Sequence, residues 1–488
     1  MIKKIQYSYC LYYCFLFAIF FIFFSQVHPL LPFDTDDWKY AGLARVPYPT
    51  FSTWNPTKIL PECLQPLVGM IAAYFITPIL GDYITALVIT HSVVISLFII
   101  LYFYSVQKLL TWKFKISPYS GFFIISIFVL LHFLVLKTRP SNNDHLFYSP
   151  DVNCYYNYIV PNMLCASIVM WLMRYDVKDN MSNTMRSAIC FMTFLALFSN
   201  LFSTIILSAF IGAKLLIELF ECNKEECGWL KKYIKKNTFF LIILFIWLIV
   251  QFFEANGSRA SAYGAMLLPF NESLKMTIDF FVSSHYNKWF LAFTIIVIIG
   301  AKTYNCYKEK RKIYHIGKLS SISIFALFLT IVYLILLSSQ VFPQYLLRSE
   351  VMFTYFFFYL LLFALCLGYL TSKINIIKIF LPFFIFFFFF LLNINENTFI
   401  DLQYPYGTNI QTCEKFDRDI INQVKTADLL GKDSVIIYVH NYKNNSNWPL
   451  ILKQGKYVGI TLHKHGIIKR NIVTKFELKP AKLDTNKE

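Results

Sequence analysis

Long apolar runs alternate with short polar links along the chain, and run length decides what the runs are. A helix that crosses a bilayer needs about 20 mostly apolar residues. Runs at 8–27, 83–107, 116–136, 159–173, 238–253, 289–303, 319–338, 351–371 and 379–395 meet or approach that length. The shortest, 159–173 and 289–303, span only with tilting or local thinning of the bilayer. A further stretch, 187–220, is too long for one span and is broken at Ser199-Asn200. It predicts two short helices forming a hairpin or re-entrant element. The fold class expected is an all-α polytopic membrane protein with about 9–11 transmembrane helices.

The pattern changes abruptly after residue 395. Residues 396–488 are polar and basic. Phe416, Ile420, Ile421, Val424, Leu429 and Leu430 share one face of an amphipathic helix over 412–430. Residues 435–439 and 457–462 carry the β-branched content of short strands. The expected organisation is a transmembrane region, 1–395, followed by a small α+β C-terminal domain, 396–488. Lys3 and Lys4 precede the first run as they would in a signal peptide, but no small-residue cleavage site follows. A signal anchor is expected.

Charge then sets the orientation. With Lys3 and Lys4 in the cytoplasm, the short loops on their side also hold Lys108, Lys113, Arg174, Lys236, Lys318 and Lys373, as the positive-inside rule requires. The bias holds only if 187–220 returns to the side it leaves. The net charge of +17 is thereby topology plus a basic tail, and no nucleic-acid partner is implied. Composition agrees: 57% of residues are hydrophobic and 15% charged, against about a quarter charged in soluble domains. Of eleven Cys, only Cys63, Cys154 and Cys413 fall on the outer side, so at least one stays unpaired. Cys222 and Cys227 lack the second ligand pair of a zinc site. No internal repeat, phosphate-binding glycine loop or HExxH is found. No cofactor and no metal are expected.

Four outer segments remain. The first loop, 28–82, contains Asp34-Thr35-Asp36-Asp37-Trp38 and Glu62, and ends in an interfacial stretch, 64–80. The others are 138–158, 254–288 and 339–350. Carboxylates beside a membrane are costly unless they pair or meet water, which makes them functional candidates. In an extended segment Asp34 and Asp36 share a face and Asp37 points elsewhere. Clustered like charges raise one another's pKa, which suits a general base. The competing reading is a solvated loop with Asp capping a helix at Trp38. Arg139, Arg259 and Arg348 recur on the outer side, where topology does not favour them. Their planar forks suit a lipid phosphate, or else salt bridges to Asp151, Glu254 or Glu350. Arg348 stands where a span enters the membrane. His145 and His285 are isolated, as structural residues are.

An acidic motif just after the first span, in a long first outer loop, resembles the GT-C class of integral membrane glycosyltransferases. Length, topology, the element midway and the basic tail are similar to the serotype-converting O-antigen glucosyltransferases carried by temperate phages. The resemblance implies a bacterial inner-membrane enzyme, N-terminus cytoplasmic and C-terminal domain periplasmic. It implies undecaprenyl-phosphate-glucose as donor and lipid-linked O-antigen of lipopolysaccharide as acceptor, with a bactoprenol glucosyltransferase and a flippase supplying the donor. Asp36 or Asp37, with Asp34, would take the proton in an inverting transfer. Arg348, Arg259 and Arg139 would hold the donor phosphate, and Trp38 and Glu62 the substrate. An O-antigen polymerase or a lipid or saccharide transporter is the alternative. Transporters place ionisable groups at mid-membrane and show repeat symmetry, whereas these spans are nearly free of charge.

Overall fold

The computed structural model describes residues 2–32, 35–43, 59–137, 144–149, 151–175, 182–222, 228–255, 267–283, 285–308, 314–392, 410–439 and 455–478. It is mostly helical. Among the described residues nine helices are long and apolar enough to cross a membrane: Tyr7–Val27, Ile59–Leu80, Tyr83–Phe114, Val152–Arg174, Leu201–Glu221, Trp229–Glu254, Gly317–Gln340, Ser349–Lys373 and Asn375–Leu392. Pro118–Leu134 and Ala292–Tyr304 are shorter apolar helices. This is a multi-pass membrane architecture.

The helices form a bundle with two recognisable ends. At the upper end the His28 ring lies 5.9 Å from Tyr148, Leu60 N donates to Phe198 O at 3.0 Å, and Phe202 stacks on Tyr345 at 5.6 Å. Lys137 Nζ also donates there to Leu392 O. At the lower end Lys108 lies over Tyr9, Arg174 lies over Trp112, and Tyr304 meets Tyr369. Ser349–Lys373 and Val152–Arg174 are almost wholly buried and form the centre, whereas Asn375–Leu392 is a largely exposed rim helix. Its exposed face carries Phe383, Phe386, Phe389 and Phe390, which suits contact with lipid tails.

Local sequence explains the breaks. Asp82 caps Tyr83–Phe114, its Oδ2 accepting from Thr85 N at 2.9 Å. Ser117 caps Pro118–Leu134, with Pro118 at the first helical position. Asn200 caps Leu201–Glu221 through Phe202 N at 2.8 Å. The 187–220 stretch is therefore broken where its polar pair stands, into Asn183–Leu197 and Leu201–Glu221. The second helix is not short. Ser203 Oγ reaches Tyr158 O at the upper end, and Glu218 is held by Lys236 and Lys318 at the lower.

That lower contact is a buried ionic knot. Lys214 Nζ lies 2.5 Å from Glu218 Oε1, Lys236 Nζ lies 2.9 Å from Glu218 Oε2, and Lys318 pairs with Glu221 at 2.7 Å. Lys214 and Glu218 are both buried. Removing the anion strands a buried ammonium. Glu218→Gln is expected to destabilise the bundle by about 1–3 kcal/mol, read as a lower unfolding midpoint in detergent; an unchanged midpoint would show the knot to be idle.

The helix Ile59–Ile71 continues through Ala72–Ile76 and Thr77–Leu80. Its length would allow crossing, but its contacts keep it at the upper end. Leu60 meets Phe198, Gly69 meets Ala41 and His465, and Tyr74 meets Gly466. A Cβ at Gly69 would stand 2.2 Å from Ala41 O, so only glycine lets the two backbones touch.

The C-terminal residues form Ile410–Leu429, Ser434–Val439, Lys456–Lys464 and Val473–Leu478. The two strands pair in parallel, Ser434 opposite Val473 and Val439 opposite Leu478. The strand expected at 457–462 is a correction: those residues are helical. Val458, Gly459, Thr461 and Leu462 are buried, a helical spacing, and a Cβ on Gly459 would stand 2.0 Å from Ile472 O. Close seating on the second strand overrides the β-branched preference of the segment.

Candidate active site at the upper end

The first helix ends in a wide π turn, Phe23–Val27, and the chain turns into a short helix, Thr35–Gly42, whose first turn holds Asp36 and Asp37. Free amides at a helix start favour anions there. The extended geometry expected for this segment is overturned. In a helix, consecutive side chains diverge by about 100°, so Asp36 and Asp37 face different surroundings. Asp36 is half-buried, whereas Asp37 is 2% exposed. Asp34 lies outside the described residues, as do Arg139 and Arg259.

Asp37 Oδ1 accepts from Asn153 N at 2.6 Å. The next amide, that of Cys154, is taken by Asp151 Oδ1, also at 2.6 Å. Two carboxylates thus satisfy two successive orphan donors at the start of the helix running to Tyr175. Cys154 Sγ in turn lies 3.3 Å from Arg348 Nη2. A wide turn follows at Tyr155–Ile159, and π turns recur at functional sites. It places Tyr158 under the Arg348 guanidinium, at 5.1 Å, with Tyr345 at 5.2 Å on the same group. The Asp37 and Arg348 contacts are therefore made by adjacent residues, Asn153 and Cys154.

Arg348 Nε donates to Glu350 Oε1 at 2.6 Å. Glu350 is 1% exposed and Arg348 29%, so the carboxylate is sealed in while the guanidinium still meets the surface. Of the two sequence readings for Arg348, its salt bridge to Glu350 is present. The phosphate reading then relies on the exposed part of the same fork. The remaining site expectations are placed as follows. Trp38 is 2% exposed and packs in the apolar cluster shared with Cys413, Ile420, Ile421 and Val424. Glu62 is buried in the first turn of its helix. His145 is buried near His28, Phe133 and Tyr148. Cys63, Cys154 and Cys413 are unpaired thiols. Among the described residues no three His, Cys, Asp or Glu side chains gather as a metal site.

The C-terminal residues close over the first loop. Thr461 Oγ1 donates to Trp38 O at 2.6 Å. Arg418 Nη2 pairs with Asp82 Oδ2 at 3.1 Å. Tyr74 OH donates to Lys464 O at 2.6 Å. His465 is buried between Ala41 O, 3.1 Å from Nε2, and Tyr83 OH, 2.6 Å from Nδ1. Burial, opposed by the Ala41 bond and aided by Lys464, lowers the imidazole to about 4. A neutral ring fits both contacts, donating to Ala41 and accepting from Tyr83.

A depressed pKa means that the unfolded ring, near about 6.5, binds its proton first. The latch is complete above that pH and weakens as pH falls toward 4. Protection from hydrogen exchange over 456–464, taken relative to the intrinsic rate at each pH, is expected to fall between pH 7 and 4, and His465→Asn to blunt that response. A wild-type response equal to that of the variant would remove the latch.

Asp417 was not singled out by the sequence. It lies on the apolar face of Ile410–Leu429, one turn from Cys413 and Ile420, and is 1% exposed. Its Oδ2 has no hydrogen-bond partner among the described residues. Burial first, then the Asp37 carboxylate, push it well above the usual carboxylate range. An acid on an apolar stripe was the available signal. Compared with models of known families, with curated proteins and with solved structures, the chain gives no match.

Proposed function

We propose that this chain is an inverting membrane glycosyltransferase that moves glucose from undecaprenyl-phosphate-glucose to a hydroxyl of lipid-linked O-antigen. The observation that carries the reading is the pair of neighbouring contacts, Asp37 to Asn153 and Arg348 to Cys154. It brings a first-loop acid and a partly exposed cation to one helix start. With the Lys- and Arg-rich lower end in the cytoplasm, the upper end faces the periplasm of a bacterial inner membrane. The closing residues, 410–478, then belong to a periplasmic α+β domain.

The roles divide by exposure. Asp36, half-buried, accepts the proton of the acceptor hydroxyl. The hydroxyl oxygen bonds to the anomeric carbon as the bond from that carbon to the phosphate oxygen breaks on the opposite face. The electron pair leaves on the phosphate, and Arg348 meets the developing charge. Asp37 is a positioning residue that ties the first loop to the helix bearing Cys154. Trp38 packs the loop rather than meeting substrate. Arg139, Arg259 and Asp34 remain part of the proposal by their place in the outer loops.

The test is expression beside a polyprenyl-phosphate-glucose pathway, with NMR of the O-polysaccharide. A new glucosyl branch dependent on Asp36 supports the reading. An unaltered polysaccharide, with the protein present in the membrane and the donor made, would sink it.

A further inference from the structure

We infer that the groove between the helices His285–Lys308, Ser349–Lys373 and Asn375–Leu392 binds one anionic phospholipid of the leaflet at the lower end of the bundle. The inference rests on no part of the proposed glucosyl transfer. The groove measures about 940 Å³, and Phe293, Gly300, Tyr304, Leu370, Ile377 and Phe384 are among its lining residues. It is closed above and open below. Part-way along the helices Phe293 meets Phe363, Phe384 and Phe388 at 5.9, 5.3 and 5.5 Å. At the lower end Tyr304 meets Tyr369 at 6.4 Å. A helix running from Phe293 to Tyr304 covers about 16 Å, and one leaflet of the hydrocarbon core is about 15 Å deep. The groove therefore has the length of a lipid tail.

Gly300 gives an independent reason. Glycine is a poor helix former, and two other helix glycines are explained by close contact. A Cβ at Gly121 would stand 2.8 Å from Gln107 Nε2, and one at Gly368 would stand 3.1 Å from Leu110 Cδ2. A Cβ at Gly300 would meet nothing within 4 Å among the described residues. Its missing side chain makes room in the groove rather than for a neighbouring helix.

The mouth is cationic. Lys302 adjoins Thr303 and Tyr304, Lys373 adjoins Ile374, and Lys378 adjoins Ile377, all four of these neighbours lining the groove. The three lysines are exposed. Lys373 Nζ lies 5.9 Å from the centre of the Tyr369 ring, the ring that Tyr304 meets. The sequence has no Asp or Glu at 285–308 or 351–392. Cations at the open end of an apolar slot complement a phosphate diester that carries acyl chains. A zwitterionic lipid brings its own ammonium to the lysines, and free phosphate leaves the slot empty. An anionic phospholipid satisfies both parts.

The full-length protein in detergent is titrated with phosphatidylglycerol, with phosphatidylcholine of the same acyl chains, and with inorganic phosphate. Native mass spectrometry reads the retained lipid, and the unfolding midpoint reads stabilisation. One retained phosphatidylglycerol is expected, preferred over phosphatidylcholine, with little effect of inorganic phosphate. Gly300→Phe fills the groove and should lose that lipid. Gly300→Ala leaves the groove open and should keep it. Lys302→Gln with Lys378→Gln should cut the preference for phosphatidylglycerol by about fivefold per lysine. Equal retention of the two lipids overturns the site, as does retention by Gly300→Phe equal to that of wild type. Protection by inorganic phosphate equal to that by the lipid, or a second copy of the chain retained in place of lipid, also overturns it. If Gly300→Phe does not fold, the exposed lysine pair decides, and an unchanged preference in that variant sinks the inference.

Discussion

Asp36→Asn is expected to lower glucosyl transfer by about 10²–10⁴-fold, the usual contribution of a positioned general base, at unchanged protein level. The amide keeps the size of the acid and one accepting oxygen but cannot take a proton at neutral pH. Asp36 is only half-buried, so the side chain itself is not sealed from water, and the protein level serves as the control for folding. Asp37→Asn should behave differently. Its amide oxygen can still accept from Asn153 N, so the loop anchor survives in weakened form. A smaller loss than that of Asp36→Asn follows. Radiolabelled transfer in membranes, scored against immunoblotted protein, separates the two. Full activity in Asp36→Asn would remove the base from its role, and equal loss in both would merge two roles that burial keeps apart.

What the sequence revealed of this arrangement was set by range. Run length marked the long helices, because crossing a bilayer is a constraint on consecutive residues. Ser199-Asn200 marked the hairpin break because capping is local. The acidic motif was visible, but the conformation of Thr35–Gly42 was not. Asp-Asp-Trp fits either a loop or a first helical turn, and the choice is made by Asn153, more than a hundred residues on. The helix at Lys456–Lys464 was misread for the same reason. Val458 and Ile460 favour strands, and only the distant Ile472 carbonyl requires the glycine face of a helix. Asp417 was not legible: Ile420 and Val424 mark the apolar face of its helix, but nothing local shows why an acid is buried among them.

His465 must stay neutral to accept from Tyr83. It joins the closing segment to Ala41, in the short helix that carries Asp36, so that docking should be complete at neutral pH and weaken in acid.

Arg348→Lys should lower transfer by about 10²–10³-fold, the range seen when one donor to a developing oxyanion is lost, although the charge is kept. The guanidinium here does three things at once. It bonds the buried Glu350 through Nε at 2.6 Å, reaches Cys154 Sγ at 3.3 Å, and lies over the rings of Tyr158 and Tyr345. An ammonium is a point donor on a flexible stem. It can neutralise Glu350 or face the surface, but it cannot span both. Glu350, at 1% exposure, claims it first, and the leaving phosphate meets no cation. The loss should therefore fall on kcat more than on donor KM, because the charge concerned develops in the transition state. Arg348→Gln with Glu350→Gln separates catalysis from folding, since it removes the cation and the buried anion together. That double variant should fold like wild type and transfer no better than Arg348→Lys. Transfer near the wild-type rate in either variant would take the phosphate away from Arg348.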